Sequence, residues 1–533
     1  MQSNVVVIPK SVHKDRMQQN FEIFDFTLTP DDMAAIEALD SGERICVYGD
    51  YNCDGVTATA LLYSFLEAMG GNVIYYIPDR ETEGYGLNKG AIDILAAKGT
   101  GLIVTVDNGI SSVDEAEYIY RLGMQLVVTD HHQVGEQLPR AEAVVNPHRT
   151  DNQLPFTDFC GVGVAFKLAC CLYDGEPAEL LEQFGDLVAI GTVGDLVPLV
   201  GENRALVQAG LRTLQEEPRP GVYALLQAAG AGEELSGTDV AFKLCPRINA
   251  AGRMDSALRA LELLLAEDEE TAAARARQLC ADNALPQELE SKIKYDITAK
   301  LAADPAPLRQ RVLVVAGEDY HPGVIGIVAS RLTEIYFRPT VVLTRDGDLA
   351  SGSARSVMGF DIYSAIKSCR DLLINFGGHT YAAGLTLRWA DIPTFRKRFQ
   401  KYVEEHIQPE QTEAYLRIDA IIDFKDITKK LYNDLKRLSP FGPSNPKPVF
   451  CTLGVYDYGT SKVVGRSQEH IKLELVDSKS GVVVNGIAFG QSASARYIKS
   501  RRSFDIAYTI EDNVFKRNQV QLQIEDIRPR KGE

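Results

Sequence analysis

At 533 residues the chain is too long for one ordinary core, so about two to four domains are expected. Hydrophobic residues make up 45% and charged residues 24%, the composition of a soluble globular protein, and no apolar run approaches a membrane span. The net charge of −17 argues against a surface that binds a polyanion everywhere. Residues 411–533, however, hold 20 Lys and Arg against 15 Asp and Glu, a surplus of +5 that leaves −22 for the rest. A basic C-terminal module on an acidic body suits an enzyme that handles a polyanion through part of its surface, although ordinary variation between domains gives the same imbalance. Nine cysteines without CxxC or zinc-type spacing, and no signal-peptide pattern at the N-terminus, lead us to expect a reducing, cytoplasmic setting.

From Arg44 the apolar runs RICVYG, NVIYYIP, GLIVTVD and MQLVVTD alternate with helical stretches such as GVTATALLYSFLEAMG and SSVDEAEYIYRLG. The alternation predicts right-handed βαβ units on a parallel sheet, extending to about Pro198. A helix-rich stretch follows, and its length predicts a connecting helix at 258–305, broken or kinked at Pro286. APLRQRVLVVAGEDY opens a second α/β unit at about residue 306 that runs to about 410. From 411 onward, short alternating runs (VFCTLGVYDYG, HIKLELVD, VQLQIEDI) separated by turn residues predict a small β-barrel. The expected class is therefore α/β, with a parallel-sheet domain at 43–257, a connecting helix, a second α/β domain and a C-terminal barrel.

Three predicted strands end on acid: VYGDYNCD at Asp50 and Asp54, IVTVDNG at Asp107, and VVTDHH at Asp130 with His131 and His132. A fourth acid, Asp195 in GTVGDLVPL, follows another apolar run. Ligands gather beyond the carboxyl ends of strands in open parallel sheets, and carboxylates with imidazoles there make a mixed site suited to Mn²⁺ or Mg²⁺. Singly, each has a plain structural explanation, since Asp107 before NGISS could only cap a helix. Four acidic ends in one sheet are much harder to explain that way.

GDYNCDG, VDNGI, TDHH and GTVGDLVPL resemble, in order, the four motifs of the DHH phosphoesterases. PDRETEGYGL, CGVGVAFKL, PRINAAGRMDSA, HPGVIGIVASRL, SGSARSV, FGGHTYAAGL and PFGPSNPKPVF narrow the resemblance to the RecJ family of single-strand-specific exonucleases. The resemblance covers about residues 42–530 and implies a DHH domain, a connecting helix, a DHHA1 domain and an OB-fold. It further implies removal of nucleotides from the 5′ end of single-stranded DNA in repair and recombination. By resemblance, Asp54, Asp107, His131 and Asp195 hold one divalent metal, Mn²⁺ or Mg²⁺, with Asp107 bridging to a second. His132 sits beside the scissile phosphate, and Asp130 and Asp50 join it as catalytic groups.

Arg80, Tyr85, Arg253, Ser353 and Arg355 match positions the family uses around a 5′-terminal phosphate, and His379 is expected to face the metals. Guanidinium forks beside hydroxyls fit a phosphate monoester better than lysine does. On the barrel, Lys462, Arg466, Lys499, Arg501 and Arg502 are candidates for phosphate contacts, although each could equally be a solvated charge. The partners expected are a 5′-ended single strand, a single-strand-binding protein and a RecQ-type helicase, with no membrane and a monomeric state.

The family has Asp where this chain has Asn52, and an amide offers a carbonyl oxygen but no charge to a hard dication. We therefore expect one metal to bind normally and a second weakly, with slow or Mn²⁺-demanding hydrolysis. A 5′→3′ exonuclease impaired at Asn52 and a catalytically silent single-strand binder both follow from the sequence. Cleavage of cyclic dinucleotides or very short oligonucleotides is disfavoured, because such relatives generally lack the barrel and the PFGPSNPKPVF stretch. Residues 1–42 resemble the C-terminal tail of aldo/keto reductases, from which no reductase activity follows. They read as a grafted segment or gene-boundary artefact, with an amphipathic helix near 30–39 that covers the first sheet edge.

Overall fold

The computed structural model of the chain describes residues 42–530 except 81, 233, 255, 379, 466, 501 and 514–518, and not the side chains of 253, 254, 284 and 285. The readings made for residues 1–41 lie outside these described residues.

Strand β1 (Arg44–Tyr48) is apolar and buried almost end to end, as befits a strand covered by helices on both faces. It is followed by α1 (Cys53–Ala68), β2 (Asn72–Tyr76), α2 (Lys89–Ala97), β3 (Leu102–Val106), α3 (Val113–Arg121), β4 (Gln125–Thr129) and β5 (Ala143–Val145). The five strands form one parallel sheet in the order β2-β1-β3-β4-β5. Helix α1 packs Val56, Leu61 and Phe65 against one face, while α2 and α3 cover the other through Ile92, Leu95 and Ile119. The chain leaves β1 on one side for β2 and crosses to the other for β3, so the winding reverses between β1 and β3. Register then aligns the acids. Tyr48 pairs with Thr105 and Val106 with Thr129, which brings Asp50, Asp107 and Asp130 off the carboxyl edge at nearly one level.

The parallel alternation stops at Val145, well short of Pro198. Helices α4 (Gly161–Leu172), α5 (Pro177–Gly194), α6 (Gly201–Glu216), α7 (Pro220–Ala228) and α8 (Cys245–Met254) follow, with a π-helical turn at Val240–Leu244 before α8. The run that resembles a fourth strand, LVAIGTVG, belongs to α5. Every residue of α5 from Phe184 to Val193 is buried, so the polar face that would reveal a helix in the sequence is missing. The expected connecting helix is two helices, α9 (Leu258–Leu264) and α10 (Glu269–Ala303), and α10 continues through Pro286 without a break. It bridges two cores. Ala272, Ala276 and Leu279 pack into the first, and Ile293, Ile297 and Leu301 into the second.

The second sheet is built from β6 (Leu313–Gly317), β7 (Thr340–Asp346), β8 (Leu349–Arg355), β9 (Leu373–Gly378) and β10 (Ala382–Arg388), with α11 (Pro322–Tyr336) between β6 and β7. Its order is β6-β7-β8-β10-β9, parallel at β6–β7 and antiparallel beyond. The C-terminal segment begins with β11 (Ala420–Ile421), then β12 (Phe450–Asp457), β13 (Lys462–Val464), β14 (His470–Asp477), β15 (Val483–Ala488), β16 (Phe504–Asp512) and β17 (Val520–Pro529). Pairing of β12 with both β16 and β14 closes a five-strand, OB-like barrel around Val455, Leu473, Tyr508 and Leu522.

The barrel is docked by the PFGPSNP loop. The Leu199 N–H donates to the Pro443 carbonyl at 2.8 Å, and Arg204 donates to the carbonyls of Arg437 and Ser439 at 3.1 and 3.0 Å. A Cβ on Gly442 would lie 2.6 Å from Leu199 Cδ1, so a side chain there would have to displace the tip of Leu199. Among the described residues no helix is long and apolar enough to cross a membrane.

Candidate metal centre and adjoining cleft

Asp54 is the second residue of α1, and its buried carboxylate also caps α4: the Gly161 and Val162 N–H groups donate to Oδ2 and Oδ1 at 2.5 and 2.8 Å. Asp107 leaves β3 in the left-handed region (φ 62°), which Asp tolerates better than most side chains. His131 leaves β4 with its Nε2 3.0 Å from Asp107 Oδ1, 3.7 Å from Asp195 Oδ2 and 3.8 Å from Asp54 Oδ2. Asp195 thus reaches the same point, but as the C-cap of α5 and not from a strand end. The sequence pattern places it at a strand end because the apolar helix before it imitates a buried strand.

Asp130 has a different task. Its Oδ2 accepts from the Ile110 N–H at 2.9 Å, while Oδ1 accepts from the N–H groups of His131 and His132 and lies 2.7 Å from His132 Nδ1. It holds both histidines in place. Burial pushes its pKa up, but the hydrogen bond and charge of His132 and the backbone N–H groups outweigh this and leave it below the usual carboxylate value. His132 is raised to about 9: burial alone would lower it, but the bond to Asp130 and the charges of Asp107 and Asp130 prevail. The Tyr85 hydroxyl donates to the Asp107 carbonyl at 3.2 Å and lies 3.3 Å from His132 Nδ1, so Tyr85 stands at the metal centre.

Crowding raises the remaining acids. Burial takes Asp50 to about 7, burial and the Asp54 charge take Asp195 to about 7, and the same two causes push Asp107 well above the ordinary range. Oδ2 of Asp107 and Oδ1 of Asp50 are buried without a hydrogen-bond partner, and Asp107 Oδ1 and His131 Nε2 face each other at 3.0 Å without hydrogen-bond geometry. Two triads, Asp54–His131–Asp195 and Asp107–His131–His132, each bring their ligand atoms within 4.8 Å of one another. Unpartnered acceptors among like charges are the environment that a divalent cation with mixed nitrogen and oxygen ligands relieves.

Asn52 is the N-cap of α1, and its Oδ1 accepts from the Gly55 N–H at 2.7 Å. Its other terminal atom, Nδ2, is a donor and cannot ligate a cation. The Cys53 N–H is taken by Asn249 Oδ1 of α8 at 2.8 Å, and a Cβ on Gly252 of α8 would lie 2.4 Å from the Tyr51 carbonyl oxygen. A Cβ on Gly161 would lie 2.5 Å from Asp107 Cβ. Sequence reasoning passed over Asn249, Gly252 and Gly161, although PRINAAGRM and CGVGVAFKL contain them.

Between the first two domains lies a cleft of about 930 Å³. Its lining includes Arg80 from the first domain and Ser353 and Arg355 from β8. Arg355 Nη1 donates to Ser353 Oγ at 2.9 Å, and a Cβ on Gly326 of α11 would lie 3.0 Å from Arg355 Nη2, so the helix start packs against this pair. Burial, then the charge of Arg80, lower the Arg355 pKa, an environment that favours an anion between the two guanidiniums. Exposed Arg80 stacks over the Tyr51 ring at 5.5 Å. The Arg253 side chain and His379 lie outside the described residues. On the barrel, Lys462, Lys499 and Arg502 are exposed, whereas Arg466 and Arg501 lie outside the described residues.

Three family descriptions match in order: DHH family, N-terminal domain, over residues 44–192; DHHA1 domain over 309–405; and RecJ OB domain over 418–526. The chain is 38% identical to the single-stranded-DNA-specific exonuclease RecJ of Bacillus subtilis, over 85% of this chain and 57% of that protein. It is 36% identical to that of Dickeya dadantii, over 92% of this chain and 89% of the relative. The crystal structure of RecJ in complex with Mn²⁺ from Thermus thermophilus superposes with a TM-score of 0.81 at 30% identity, over 97% of this chain and 75% of that one. The Mg²⁺ complex from the same organism gives 0.76 at 28% identity, over 97% of this chain and 74% of that one. Three domains in this order, and relatives matched over most of their length, make this chain a member of the RecJ family of DHH phosphoesterases.

Proposed function

We propose that the protein is a metal-dependent exonuclease that removes mononucleotides from the 5′ end of single-stranded DNA. The observation that carries this reading is the meeting of three carboxylates around His131 Nε2, at 3.0, 3.7 and 3.8 Å, at the edge of an arginine-bearing cleft. We divide the chain at 43–257, 258–305, 306–410 and 411–533 into catalytic domain, connector, DHHA1 domain and DNA-holding barrel.

Asp54, Asp107, His131 and Asp195 would hold Mn²⁺ or Mg²⁺, which supplies Lewis acidity for attack of water on phosphorus. Asp50 and Asp107 would contribute to a second, weaker site, because Asn52 offers a neutral amide oxygen, shared with the Gly55 N–H, and no carboxylate. His132, held by Asp130, donates toward the negative charge that grows on the phosphate oxygens. Arg80, Ser353 and Arg355 receive the 5′-terminal phosphate and fix the strand one nucleotide from the metal group. The barrel's exposed cations hold the trailing strand.

The test is mononucleotide release from 5′-phosphorylated single-stranded DNA across a Mn²⁺ titration. Tight DNA binding with no release at any Mn²⁺ concentration would replace this reading with that of a silent 5′-end binder.

A further inference from the structure

Leu196 and Phe242 are large apolar side chains, 66% and 67% exposed, and both line the cleft. Each is presented by an unusual piece of backbone. Leu196 has φ 64°, a conformation unfavourable for a side chain of its kind, and it directly follows Asp195. Phe242 lies at the middle of the π-helical turn Val240–Leu244, a geometry that recurs at functional sites. Two uncommon backbone states thus project large apolar side chains into a cleft that also holds the guanidiniums of Arg80 and Arg355. A phosphate backbone gains nothing from such surface, whereas the flat face of a base does.

We propose that Phe242 and Leu196 form a stacking ledge for the nucleobase next to the scissile phosphate. The inference rests on the exonuclease reading and adds a base contact to it. Its position follows from the chain: the ledge starts one residue beyond Asp195, whose carboxylate lies 3.7 Å from His131 Nε2. The ledge reads no sequence, because every base offers a π-face, and this suits an enzyme that must digest any strand. It also favours strands with unpaired bases, since a base kept in a duplex cannot lie flat on Phe242.

The test is a cycle of enzyme and substrate changes. Substrates are 5′-phosphorylated single strands, intact or with one tetrahydrofuran abasic residue at position 1, 2 or 3. For the unaltered enzyme, an abasic residue at one of these positions should lower kcat/KM by about tenfold, the order of one base–aromatic stack, chiefly through KM. Phe242→Ala should cause a similar loss on the intact strand and abolish the abasic penalty. Phe242→Trp should restore both, and Leu196→Ala should give a smaller change in the same direction. Truncation at an exposed position opens no cavity, and thermal melting of each variant checks the fold. Losses that multiply, or no abasic penalty at any of the three positions, would overturn the ledge. The same cycle run on binding affinity, by fluorescence anisotropy in EDTA, decides the proposal even if no nucleotide is released, so a failure of the exonuclease reading is seen separately.

Discussion

Asn52→Asp changes one terminal group at the start of α1 and separates two roles of that position. The carboxylate would keep the cap, because Asp and Asn are about equivalent there, so Oδ1 still accepts from the Gly55 N–H and stability should move by no more than about 0.5 kcal/mol. Its second oxygen would replace a donor with an anionic acceptor two residues from Asp50. A carboxylate and a dication at about 4 Å attract by about 8 kcal/mol at an effective dielectric of about 20. Desolvation and repulsion from Asp50, which burial already pushes up, offset most of this. A net gain of about 1.4–2.8 kcal/mol remains, so the second Mn²⁺ should bind roughly tenfold to a hundredfold more tightly. Isothermal titration of the metal-free protein should show a second site sharpened while the first is unchanged, and the rate of nucleotide release should rise at limiting Mn²⁺. Unchanged stoichiometry together with an unchanged rate would refute the assignment of a weakened ligand to Asn52.

Gly161→Ala puts a methyl group 2.5 Å from Asp107 Cβ and forces a shift of about 1 Å. We expect at least about a hundredfold loss of activity and weaker Mn²⁺ binding by calorimetry; near-normal metal affinity would show that α4 can retreat freely. Asn249→Ala leaves the Cys53 N–H without its partner, for a cost of about 1–2 kcal/mol in thermal or urea unfolding, and Asn249→Asp should recover most of it. Arg219 donates to both oxygens of buried Asp186 at 2.9 and 3.0 Å. Arg219→Ala should destabilise the first domain by about 3 kcal/mol, seen as a fall in Tm of roughly 6–12 °C without altered metal binding. A fall of under about 2 °C would mean that the backbone donors around Asp186 suffice.

Strands β1 to β4 were legible because parallel strands are continuous apolar runs, and the acids ending β1, β3 and β4 stood out against them. Asp195 was legible as a residue but not as a location. Its helix is buried on every side over Phe184–Val193, and the 3.6-residue period has no polar face to mark it. Gly161, Asn249 and Gly252 were invisible for another reason. They act on partners far along the chain, Asn249 on a residue 196 positions away, and no local pattern encodes such a contact. Asn52 lies between these cases. The loss of a charge could be read from its letter, but the commitment of its oxygen to the helix cap could not.

The loop that carries Asp195 toward His131 ends at Leu199, whose N–H is held by the Pro443 carbonyl of the barrel segment. The third domain is therefore a mechanical brace for the loop that carries Asp195 in the first. A truncation at about residue 411 removes the proposed DNA handle and this brace in one cut, so a loss of activity could not be assigned to DNA affinity alone. A charge-reversed barrel that keeps residues 437–445 removes the handle and leaves the brace in place.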